Sequence, residues 1–154
     1  MERFQMTELD EFLAAVLPRQ HEADAAIHNG DAALRRALWS HNEPVTVLGA
    51  AKTVSGWSEV EKVFDSLASN LSNCESYHCE VIAAGVSGDL GYVVGHERTT
   101  ASVGGQQPKP YELRVTLIFR REGGEWKAVH RHADAWPDSQ GAQEQIARLK
   151  SRLK

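Results

Sequence analysis

At 154 residues, with 42% apolar and 25% charged side chains, the chain is long enough for one domain. Such a domain buries about 70% of its unfolded surface and needs neither disulfide nor metal to fold. A formal net charge of −4 argues against a nucleic-acid partner, which rewards a concentrated basic surface. The basic tail Arg148, Lys150, Arg152 and Lys154 reads as a solvated helix end. No stretch approaches the roughly 18 apolar residues of a membrane span, and Met1–Asp10 is too polar for a secretory leader, so a cytoplasmic chain with no membrane partner is expected.

Thr7, with Asp10 in the capping-box position, opens a helix whose apolar stripe is Leu9, Phe12, Leu13, Val16 and Leu17. Pro18 is expected to break or kink it. The pattern resumes through His21, Ala25 and Ile27 and stops at Asn29–Gly30. Asp31 caps a shorter helix through Trp39; Asn42–Pro44 is a turn, Val45–Leu48 a strand and Gly49–Gly56 a loop. From Trp57 a helix carries Val60, Val63, Phe64, Leu67 and Leu71 on one face and ends at Ser72–Asn73.

Strands follow. Glu75–Val86 and Leu90–Val103 are separated by the turn Ser87–Asp89, and Gly104–Gly105 turns the chain again. Cys74 and Cys79 lie where the first of these strands begins. In extended chain they stand about 16 Å apart, beyond the roughly 7 Å limit of a disulfide, so they read as free thiols. The stretch from Tyr111 to Asp134 is a hairpin about Gly123–Gly124. On its first arm Leu113, Val115, Leu117 and Phe119 share one face, with Arg114, Thr116, Ile118 and Arg120 on the other. On its second arm strict alternation groups Trp126, Ala128, His130, His132 and Asp134 against Lys127, Val129, Arg131 and Ala133. Ser139–Lys154 forms a last helix marked by Ile146, Leu149 and Leu153. Helices first and strands last give an α+β domain, with core 8–136 and tail 137–154, in which the early helices cover a curled antiparallel sheet.

Several residues carry candidate chemistry. His130 and His132 are about 6.6 Å apart along one strand face. They could hold structural hydrogen bonds, contact a ligand or move a proton, or share a metal with Asp134 or His96; no metal or cofactor is assigned. Tyr92, His96 and Arg98 share strand parity and could line one patch. Glu97 and Arg98 must face opposite ways, and a buried arginine needs an anion, either Glu112 or Asp134 or a ligand carboxylate or enolate. Trp39, with Phe12 and Val16, is the choice for an apolar pocket wall. There is neither a Gly-x-Ser-x-Gly elbow nor a phosphate loop.

The segments Ala26–Asp31, Trp39 before Val45–Leu48, Gly56–Trp57, Asp89–Arg98, and Arg121–Trp126 leading into His130–Asp134 resemble the nuclear transport factor 2-like superfamily, and within it the SnoaL-like branch. The resemblance spans about residues 8–136. More distantly the chain is similar to the association domain of calcium/calmodulin-dependent protein kinase II. The resemblance implies a cone, a curved sheet wrapped around a long helix with a pocket between them, and a homodimer through the convex face. It places Arg98, and Arg114 or Thr116, near pocket arginines of the kinase's association domain, with Ala133 at a third such position.

The expected function is therefore binding of a small, largely apolar molecule, with Arg98, His130, Trp39, Tyr92, His96 and Arg114 as ligand contacts. If there is catalysis, it is cofactor-independent isomerisation, cyclisation or dehydration, with His132 or Asp134 moving the proton. The alternative is a non-catalytic sensing or assembly module.

Overall fold

The computed structural model describes residues 6–153; the expectations that touch Met1–Gln5 and Lys154 lie outside them. The elements are α1 (Glu8–Ile27), α2 (Ala33–Leu38), β1 (Thr46–Leu48), β2 (Thr53–Ser55), α3 (Trp57–Asn70), β3 (Leu71–Ser87), β4 (Leu90–Val103), β5 (Lys109–Glu122), β6 (Glu125–Ala135) and α4 (Gln140–Arg152). One six-stranded sheet has the order β2-β1-β6-β5-β4-β3, antiparallel except where β1 runs parallel to β6. The result is the expected α+β cone, a mixed curved sheet with helices on one face. Among the described residues no helix is long and apolar enough to cross a membrane.

Capping starts α1 as its sequence implies: Thr7 Oγ1 accepts from Asp10 N and Asp10 Oδ2 accepts from Thr7 N, both at 3.1 Å. Pro18 does not interrupt α1. Its lost hydrogen bond is tolerated because buried residues clamp the helix on both sides, Phe12 and Val16 before it and Gln20, Ala23 and Ile27 after. The buried stripe beyond Pro18 thus runs through Gln20, Ala23 and Asp24, while His21 is exposed. The expected loop at 49–56 contains β2, which pairs with β1. α3 ends at Asn70 rather than at Ser72–Asn73, and β3 begins at once with Leu71.

Strand parity decides which chemistry lies under the helices. On β5 the buried set is Tyr111, Leu113, Val115, Leu117 and Phe119. On β4 Val93, Glu97, Thr99, Ala101 and Val103 are buried and share one parity, so Arg98 turns to the open face. β6 breaks its own alternation. Ala128 pairs with Phe119 and His130 with Ile118, leaving Val129 as an extra residue opposite the step between them. This bulge inverts the parity of everything after it. Trp126 and Ala128 face the helices before it, Arg131 and Ala133 after it, and His130, His132 and Asp134 are turned outward.

The main core joins α1, α3 and the sheet. Phe12 stands edge-on to Phe119 and Trp126, with ring centroids 5.6 and 4.8 Å away. Its ring lies over Gly91, where an added Cβ would meet ring carbons at 2.6 Å. Replacing Gly91 with alanine should therefore overpack the joint between α1 and β4. We expect a loss of about 1–3 kcal/mol in urea unfolding, with an unchanged denaturant slope; a neutral or stabilising result would contradict this packing.

Candidate functional site

Beneath the helices lies a buried polar cluster. Arg131 donates to Glu97 through two nitrogens, Nη2 to Oε1 at 2.6 Å and Nη1 to Oε2 at 3.2 Å. Arg35 from α2 pairs with Asp24 from α1. The Tyr77 hydroxyl links the two pairs, lying 2.6 Å from Glu97 Oε2 and 3.0 Å from Asp24 Oδ2. Two guanidiniums and two carboxylates balance, which is what lets four charges sit out of water. Burial works against the Arg131 charge, but Glu97 outweighs it and holds the guanidinium firmly protonated. Burial likewise works to raise Asp24, and Arg35, Arg131 and His28 override it, so its carboxyl stays below the usual range.

His28 and Tyr111 complete the cluster. His28 Nδ1 lies 2.7 Å from the Asp24 backbone oxygen. A carbonyl only accepts, so Nδ1 carries the proton and Nε2 keeps its lone pair. Nε2 is bonded to the Tyr111 hydroxyl, which must then be the donor. Burial pushes the His28 imidazole below its ordinary value, and burial followed by the nearby Glu97 charge pushes the Tyr111 phenol well above its own. Both groups are therefore neutral near pH 7.

These side chains form the polar end of a cavity. His28, Tyr111, Arg35 and Arg131 line it alongside Val63, Phe64 and Leu67 of α3, the 49–52 loop, Ile146 and Leu149 of α4, and Leu153 that caps it. The centre of a water-sized sphere can move through about 80 Å³ of it. Neither buried carboxylate side chain lines it; Asp24 instead borders a smaller hollow shared with Gln20, Trp39 and Phe119, and Arg35 and Arg131 stand between the two spaces.

The residues singled out from sequence lie elsewhere. Trp39 is buried in the core, edge-on to Phe64 at 5.1 Å, and borders the small hollow, not the cavity. The other seven are on the open face of the sheet, which corrects the expectation that they furnish the cone interior. Arg98 is half exposed and pairs with Glu112 at 3.1 Å. His96 also meets Glu112, at 2.9 Å, and stacks on Trp136 at 3.6 Å. Arg114 and Asp134 form a two-pronged pair at 2.8 and 2.9 Å. His130 Nδ1 is 2.7 Å from Thr46 Oγ1, and partial burial together with His132 holds its imidazole below the usual value. His132 and Tyr92 are exposed. Arg114, His132, Asp134 and Trp136 do converge, on a wide shallow groove of that face. Among the described residues no three His, Cys, Asp or Glu side chains converge as a metal would require, and both cysteines are free thiols.

Of the residues inside, Glu97 was visible in the sequence as a candidate group. Asp24, Arg35, Arg131 and His28 were missed. The available signal was Asp24 itself, a carboxylate four residues from Gln20 on a helix face otherwise filled by Val16, Ala23 and Ile27.

The profile of the SnoaL-like domain matches residues 19–135, and the chain belongs to that family. No curated protein matches. Among solved structures it is similar to a Xanthomonas campestris protein provisionally described as a calcium/calmodulin-dependent protein kinase II association domain. That pair is 14% identical with a TM-score of 0.62, covering 86% of this chain and 91% of the other. A nuclear transport factor 2-like protein of Streptomyces avermitilis, provisionally described as a dehydratase, is 20% identical with a TM-score of 0.62, covering 82% and 97%. A nuclear transport factor 2-like protein of Cytophaga hutchinsonii is 14% identical with a TM-score of 0.65, covering 85% and 100%. At these identities the likeness establishes the fold.

The state of His28 makes a pH prediction. Its unfolded imidazole titrates near 6.5 and its folded one lower. Between those values the unfolded chain binds the extra proton, so stability is complete above 6.5 and is lost as pH falls toward the folded midpoint. His28→Gln should flatten that part of the pH–stability curve in chemical denaturation. A curve of unchanged slope below pH 6.5 would show that His28 is not held neutral.

Proposed function

We propose that the chain binds a small, uncharged, largely apolar molecule in the cavity beneath α3 and α4, and carries out cofactor-independent acid–base chemistry on it. What supports this reading is the neutral Tyr111–His28 pair at the polar end of an apolar space, with two buried guanidiniums beside it. Because Tyr111 spends its proton on Nε2, its oxygen lone pairs remain for a ligand. A proton leaving the substrate can pass to the Tyr111 oxygen as the phenolic proton passes to His28 Nε2. The imidazolium so formed is compensated by Asp24 and Glu97, both of which favour a charged His28. Negative charge left on a substrate oxygen would be met by Arg35 or Arg131. The charge-balanced floor suits a ketone, phenol or hydroxyl better than a carboxylate.

A second reading has its own support. Both buried carboxylates are already taken up by arginines, as a purely structural or sensing module would have them. In either reading we propose a homodimer through the open sheet face, where Ile82, Leu90 and Tyr92 are about half exposed.

The test is deuterium exchange from solvent into the α-carbon of cyclohex-2-enone and related cyclic ketones, followed by NMR, alongside a thermal-shift panel that includes carboxylates. Ketones should bind and exchange, and Tyr111→Phe should fold normally while losing exchange by about tenfold or more, the worth of one well-placed hydrogen bond. Binding without exchange in either protein favours the module; carboxylates binding in preference to ketones would contradict the neutral floor.

A further inference from the structure

We propose that α4 is the gate and size filter of this cavity: it sits on the sheet as a detachable wall, and ligands enter when it undocks. The proposal rests on the reading of the cavity as a ligand site.

α4 lies wholly beyond the 19–135 stretch that the SnoaL-like profile matches, yet it supplies Ile146 and Leu149, and its cap Leu153, to the cavity wall. Its apolar side otherwise packs on Leu71 and Val103 at one end and on Tyr111, Leu113 and Ala133 at the other. Tyr111 is thus touched by the helix that closes the space it serves. Among the described residues no backbone hydrogen bond ties α4 to the sheet. The polar ties are side chains: Gln145 Nε2 donates to the Ala101 carbonyl of β4 at 3.2 Å, and Arg152 Nε donates to Asn70 Oδ1, at the end of α3, at 2.6 Å. A helix whose own backbone bonds are internal, and which holds the sheet through side chains alone, can leave and return as a unit without unravelling either partner.

Its seat is nevertheless specific. Gly141 lies against the backbone oxygen of Pro110 so closely that a Cβ there would sit inside van der Waals contact, and a main-chain oxygen cannot swing aside. At the far end the Arg152 guanidinium lies across Gly104, 2.9 Å from where a Cβ would be. Glycine at position 141 weakens the helix itself, so its presence serves the close approach to β5. The link to β6 is the turn Trp136–Ser139, closed by Ser139 N donating to Trp136 O at 3.0 Å, with Asp138 at φ 66°.

Two variants separate the gate from the filter. Gly141→Ala should undock α4 without changing the identity of any side chain that lines the cavity; Ile146→Ala should widen the cavity with α4 still seated. Hydrogen–deuterium exchange of the full chain should show α4 amides opening faster than those of β4 and β5 in the wild type. In Gly141→Ala that opening should rise by about tenfold, the lower end of what overpacking does, with β4 and β5 unchanged. Association of cyclohex-2-enone, read by stopped-flow tryptophan fluorescence, should quicken by the same factor. The larger ring pair of 2-naphthol should bind both variants and not the wild type. If wild-type α4 exchanges no faster than β4 and β5, or if Gly141→Ala frees α4 without changing ligand association, the gate is wrong. If 2-naphthol binds the wild type as well as Ile146→Ala, the filter is wrong. If α4 opens as described but neither ring compound binds any of the three proteins, the cavity is not a ligand site, and the proposal falls with that reading.

Discussion

An arginine cannot be carried into an apolar interior without an anion to meet it, and Arg131 is inside. That single constraint organises the rest of the molecule. Glu97, on the far side of β5, turns inward to supply the anion; Tyr77 ties Glu97 to Asp24; and Asp24 in turn takes Arg35. Five elements, α1, α2, β3, β4 and β6, are locked together by one charge-balanced cluster. A half-built version would cost more than none, since each unpaired buried charge is expensive while the complete set is nearly neutral in energy. Its worth lies in fixing how the helices sit on the sheet.

The same cluster sets the character of the cavity. With its charges matched internally, it presents polarity without net charge, while burial keeps His28 neutral and the Asp24 carbonyl fixes its tautomer. The apolar walls contributed by α3 and α4 then enclose a space whose buried polar side chains are His28, Tyr111, Arg35 and Arg131. A cone of this family offers the scaffold, and the chemistry depends on which side chains the strands turn inward.

Much of this was legible in the sequence. The Thr7 cap, the clean alternation of β5, the Gly123–Gly124 turn and the order of helices before strands all follow from local rules, and they were enough to define an α+β domain with helices over a curled sheet; the cone was what the resemblance to the family implied. The side-chain census of the interior was not, and the reason is one residue. Strict alternation on β6 puts His130, His132 and Asp134 on the side of Trp126, and Trp126 is plainly a core residue. Val129 bulges, the parity inverts, and the histidines turn outward while Arg131 turns in. A bulge leaves little trace in composition, because it is selected by the partner strand's register. On β4, by contrast, the signal was present: Val93, Ala101 and Val103 share the parity of Glu97, so Arg98 had to face out. Arg35 could not have been placed by any pattern, since a six-residue helix carries too short a stripe to say which side is buried.

The central claim is that the bulge at Val129 delivers Arg131 to Glu97 in the interior, and a double-mutant cycle on that pair tests it most directly. Removing one partner, in Glu97→Met or Arg131→Met, should cost about 3–5 kcal/mol in urea unfolding, and the double variant carrying both substitutions should recover most of that loss. Single substitutions that cost no more than about 1 kcal/mol, as an exposed ion pair would, would place Arg131 on the surface and contradict the account.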